Sequence, residues 1–198
     1  STLTMPSLHT NREEGVGMKA AVHTDAYELT IMDRPDPVVQ DPDHVVVRVG
    51  AVGFCGSDKH DLDHAPLRPQ GPGHEFAGVV AQIGSEPGGF SVGDRVLVKP
   101  KSRCGKCENC LSRPRGECLQ PGVHGCRGSN HPPGAMAEMV LVRTENLVRL
   151  PDNLSMAEAS LADPLAVAVY AVDCGPDVKG EKCVIMGAGV IGLLLAQV

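Results

Sequence analysis

The sequence predicts a mixed α/β chain: a β-rich unit that gives way near residue 160 to the first strand–turn–helix of an α/β layer. Three observations predict it. Gly (23) and Pro (16) together make about a fifth of the 198 residues, a share that favours turn-rich β structure yet stays below low-complexity levels. Short β-branched runs recur from Met18 onward, each bounded by turn formers. After Pro151 the texture changes to a capping-box signature, an apolar helical run and a Gly-rich turn.

The elements follow in order. Residues 1–17 are polar and Gly-containing and read as a flexible arm. "MKAAVH" and "ELTIMD" read as a first hairpin turning around Thr24 to Tyr27. "HVVVRVGAVG", "FAGVVAQIG", "GDRVLVKP" and "AEMVLV" supply further strands, at a spacing that suits a compact barrel or sandwich. Ser155 with Glu158 three residues on fits a capping box. "AEASLADPLAVAVYAV" then reads as helix, kinked by Pro164 or restarted after Asp163. "EKCVIMGAGVIGLLLAQV" reads as a buried strand, a tight turn and an apolar helix. The expected units are therefore 1–17, 18–160 and 161–198.

Composition excludes several classes. Net charge is -6 with no basic run, which argues against a nucleic-acid surface. No segment approaches the roughly 18 uninterrupted apolar residues of a membrane span. The first residues lack the apolar stretch of a secretory signal. A cytoplasmic location is expected, where cysteines bind metal or stay reduced more often than they pair.

Four of the eight cysteines fall in "RCGKCENCLSRPRGEC". Cys104, Cys107 and Cys110 are separated by two residues each, and Cys118 follows. Such spacing lets thiolates converge on one ion, and four sulfurs close a tetrahedral zinc shell with no place for a substrate. Flanking Lys101, Arg103, Lys106, Arg113 and Arg115 offset the excess negative charge. Iron–sulfur clusters use related spacings, and a disulfide set suits the compartment poorly. The lobe reads as a structural zinc site. Cys126, Cys174 and Cys183 have no partner pattern and read as buried structural thiols.

A second constellation is dispersed over "GFCGSDKH" and "GPGHEFAGVV". Cys55 and His74 are ligands of the kind catalytic zinc uses, with room for a carboxylate as third. With "GDRV", the cysteine lobe and "GAGVIG" in this order, the chain from about residue 18 resembles the zinc-dependent medium-chain dehydrogenases/reductases, in their alcohol and polyol branch. The resemblance implies a GroES-like catalytic domain followed by the start of a Rossmann NAD(P)-binding domain. It implies a catalytic zinc held by Cys55, His74 and Asp163, with Glu75 a competing or exchanging ligand, and a second, structural zinc. It implies a proton relay through Ser57 and His60. Asp58, between them, reads as a local structural acid beside the ligands.

"CVIMGAGVIG" carries Gly187-x-Gly189-x-x-Gly192, with Val190 and Ile191 between, after a strand and before a helix. That context is what a pyrophosphate-binding turn requires. The acidic residue that would meet the ribose hydroxyls lies beyond Val198, so NAD and NADP remain equally open. The expected reaction interconverts a secondary alcohol, polyol, amino-alcohol or cyclitol and its ketone. The alternative is a catalytically silent, zinc-stabilised assembly module. The 198 residues by themselves are expected to be a part of the whole and inactive. A homo-oligomer is expected of the full-length form.

Overall fold

The computed structural model describes residues 17–25, 28–64, 71–100, 106–112, 119, 134–176 and 179–198. The arm at 1–16, Cys104, Cys118 and Cys126 lie outside the described residues.

β1 (Met18–Asp25) and β2 (Glu28–Arg34) pair antiparallel from Met18↔Arg34 to Asp25↔Glu28. This is the hairpin expected from the two apolar runs. The main sheet contains β3 (His44–Gly53), β4 (Glu75–Ile83), β5 (Arg95–Val98), β6 (Met139–Arg143) and β7 (Leu147–Arg149). Its order is β6-β3-β4-β5-β7, every pairing antiparallel. The hairpin joins it through an Ala20↔Ala137 bridge.

Alternation along these strands builds one core. Val45, Val47, Phe76, Val80, Val96, Val98, Val140 and Val142 are buried together with Leu147. The valine runs explain this: β-branched side chains pack well on a pleated surface, and no Trp is present to fill the space. Phe76 is fully buried, so its neighbour Glu75 projects to the opposite face of β4. That parity positions the site.

α1 (Gly56–His64) follows β3 directly, and α2 (Glu108–Ser112) lies in the cysteine lobe. α3 (Met156–Ser160) packs across β3 and β4. It opens on the expected capping box: Ser155 Oγ accepts from the Glu158 amide while the Glu158 carboxylate accepts from the Ser155 amide. The helix break falls earlier than Pro164 suggested. Leu161 closes α3, and α4 (Ala162–Cys174) starts at Ala162 with Pro164 in its first turn, where a missing N–H costs nothing.

Two expectations fail. Cys183–Met186 is not a strand: it is unpaired, with Val184 88% and Met186 95% exposed. A parallel strand needs a ladder on at least one side, and no described strand offers one. α5 (Val190–Leu195) packs instead against α4. Cys174 and Cys183 are exposed rather than buried, because the apolar surroundings that would bury them are not assembled.

Candidate metal centre

The site grows from the turn between β3 and α1. Cys55 occupies the N-cap of α1, its carbonyl accepting from the Asp58 and Lys59 amides at 3.0 and 3.2 Å. Asp58 reciprocates, its Oδ2 accepting from the Cys55 amide at 2.9 Å. This is the return half of a capping box, the carboxylate at the third helical position reaching back to the N-cap amide. It fixes Cys55 at the end of a strand.

The same carboxylate crosses to the loop before β4. Asp58 Oδ1 accepts from the Gly73 amide at 3.1 Å and lies 3.4 Å from His74 Nδ1. Gly73 has φ +97°, a conformation that favours glycine and lets the chain turn its amide inward. Burial alone would raise the Asp58 pKa. Hydrogen bonds from His74, Gly73 and Cys55 outweigh it, and the carboxyl sits below its usual range. Asp58 is thus the structural acid its position between Ser57 and His60 suggested.

Cys55, His74 and Glu75 converge: one ligand atom from each lies within 4.8 Å of the others. His74 and Glu75 are both buried. Burial pushes the Glu75 carboxyl above its usual pKa. A hydrogen bond with Cys55 and the nearby His74 pull it back, and the carboxylates of Asp163 and Asp58 raise it further. Asp163 stands in the first turn of α4, near enough to be felt by Glu75 but outside the converging set. A thiol, an imidazole and a carboxylate are a donor set that suits zinc, and three protein donors leave a fourth position open. The residues present therefore fit the ion.

Around it, Ser57 and His60 lie three apart on α1, on one helical face. Ser57 Oγ is buried with no hydrogen-bond partner among the described residues, whereas His60 is exposed. A buried hydroxyl left unpaired is rare enough to ask for a ligand.

In the lobe, Cys107 and Cys110 are described and Cys104 and Cys118 are not. Cys107 caps α2, its carbonyl accepting from the Leu111 amide at 3.1 Å, and its Sγ accepts from the Leu119 amide at 3.5 Å. At the other end, Gly187 has φ +108° and Gly189 caps α5. A Cβ on Gly192 would collide with the Gly187 carbonyl oxygen. The glycines at 187 and 192 thus meet backbone demands within the turn itself.

Residues 41–152 match the alcohol dehydrogenase GroES-like domain family. The chain belongs to that family, in its zinc-dependent medium-chain dehydrogenase/reductase branch. It is 36% identical over 185 residues to the sorbitol dehydrogenase of Bacillus subtilis, covering 89% of this chain and 51% of that protein. To the "Probable D-xylulose reductase A" of Aspergillus fumigatus it is 34% identical over 180 residues, 87% of this chain and 49% of that protein. An alcohol dehydrogenase from Escherichia coli CFT073, solved with NADH, superposes with a TM-score of 0.80 at 29% identity. It is matched over 92% of this chain and 53% of its own. The chain spans about half the length of the curated relatives it matches. No helix among the described residues is long and apolar enough to cross a membrane.

Proposed function

We propose that this chain contributes the catalytic half of a zinc-dependent oxidoreductase that interconverts a secondary alcohol or polyol and its ketone with NAD or NADP. The convergence of Cys55, His74 and Glu75 carries the reading, and the alcohol and polyol relatives support it. Zinc bound there supplies Lewis-acid polarisation of an alcohol oxygen.

The chain's own residues supply the rest. Asp58 at His74 Nδ1 leaves Nε2 as the donor toward the metal, with ring and tautomer fixed. The Cys55 thiol is held by the α1 cap. Glu75, raised by burial, gains from any cation beside it. Ser57 Oγ takes the alcohol proton as it releases its own, and exposed His60, one turn on, hands the released proton to solvent. Asp163 adds negative charge beside the cluster and is the ligand that exchanges with Glu75. Gly187, Gly189, Val190, Ile191 and Gly192 form the turn that meets the dinucleotide pyrophosphate.

Cys107 and Cys110, with Cys104 and Cys118, hold the structural zinc in this reading, and the amide donated to Cys107 Sγ suits a thiolate. For the 198 residues alone we propose no turnover, since Cys183–Met186 has no described ladder partner. Assay of a chain extended to the relatives' length against a polyol panel, with Cys55→Ala as control, tests the activity. NAD(P)-linked turnover that survives Cys55→Ala contradicts it.

A further inference from the structure

We propose that Gly53 is a positioning residue for Glu75: the bare Cα on β3 sets where that carboxylate lies in the Cys55/His74/Glu75 cluster. The inference rests on the reading of that cluster as a metal site. Gly53 and Glu75 are direct partners in the β3–β4 pairing, and opposed residues on antiparallel strands project to the same face. Glu75 occupies the space that a side chain at 53 would fill. A Cβ built on Gly53 comes inside 3.0 Å of Glu75 Oε2, with Glu75 Cβ at 3.2 Å and Cδ at 3.5 Å.

The backbone does not ask for this glycine. Residue 53 is not among the glycines with positive φ, so any L-residue can adopt its conformation. Glycine inside a strand weakens it and often marks close approach by another group. Here the atoms meeting the missing side chain are those of Glu75. The severest contact falls on the end of a flexible side chain, so alanine at 53 displaces the carboxylate, while Glu75 Cβ at 3.2 Å asks the strand pair to give by a few tenths of an ångström. Displacement moves one of three donors off a cluster whose atoms lie within 4.8 Å. The glycine therefore acts on the metal through Glu75 and touches no substrate.

Cobalt titration tests this on the whole chain, the visible absorption lost in Cys55→Ala being taken as the signal of the site. Gly53→Ala is expected to weaken Co²⁺ binding roughly 10–100-fold. In a Glu75→Ala background the same substitution should change affinity by no more than about twofold. Unchanged affinity with Glu75 present, or equal loss in both backgrounds, overturns the inference. Should Gly53→Ala lose the fold, recovery by adding Glu75→Ala supports it and failure to recover overturns it. A wild-type chain with no Cys55-dependent signal removes the metal reading and the inference together.

Discussion

Asp58 Oδ1 lies 3.4 Å from His74 Nδ1, and the same carboxylate accepts the amides of Cys55 and Gly73. One buried acid therefore ties together the two chain segments that carry the candidate ligands. Asp58→Ala should lower zinc affinity roughly 10–100-fold, because the imidazole loses its orienting partner. It should also destabilise the fold by about 1–3 kcal/mol, since the amides it served are left unpaired. Competition with a chromophoric chelator and urea melts read the two effects. Unaltered affinity would confine Asp58 to a capping role.

Ser57 gives the opposite expectation. Its hydroxyl makes no hydrogen bond among the described residues, so Ser57→Ala should shift stability by less than about 0.5 kcal/mol. Turnover of the extended protein should nevertheless fall roughly 10²–10⁴-fold, the range of a lost proton-transfer group. Steady-state kinetics beside a thermal melt would show the split.

Arg95 is a test of architecture rather than chemistry. Its guanidinium donates to the Pro151 and Asp152 carbonyls at 3.1 and 2.9 Å and to that of Leu154. These bonds clasp the turn that delivers α3, and through it α4, to the sheet. Arg95→Ala should cost about 1–2 kcal/mol in a denaturant melt. Lysine should restore little, because an ammonium cannot fork across three carbonyls.

Acid should loosen the start of α3. Hydrogen bonds from the Ser155 hydroxyl and amide hold the Glu158 carboxyl below the usual carboxylate range. A depressed folded-state pKa contributes stability that is full above the unfolded value and is lost as pH falls through the folded one. The thermal midpoint of wild type should therefore decline more steeply below about pH 4.5 than that of Glu158→Gln. Parallel slopes in a melt series from neutral to acid pH would contradict the assignment.

Much of this was legible in the sequence. The valine runs gave β3 to β6, and Ser155 with Glu158 announced its helix because a capping box is a local signature. α1 was not legible: "GSDKHDLDH" has no apolar stripe, and only Cys55 with Asp58 three residues on signals its start. β7 is three residues long, too short for alternation to register. Cys183–Met186 has the composition of a buried strand but no described partner, and a ladder cannot be read from one of its rungs. In the site, Cys55 and His74 were visible as donor types in a suggestive order. That Glu75 rather than Asp163 joins the converging set depends on strand parity and the bare Cα of Gly53, which no local pattern encodes.

In the proposed reading, Cys55, His74 and Glu75 hold a zinc distinct from that of the cysteine lobe. Zinc content per chain, measured by elemental analysis on wild type and Cys55→Ala after dialysis, tests it most directly. Two zinc ions are expected in wild type and one in Cys55→Ala. One ion in both would contradict it.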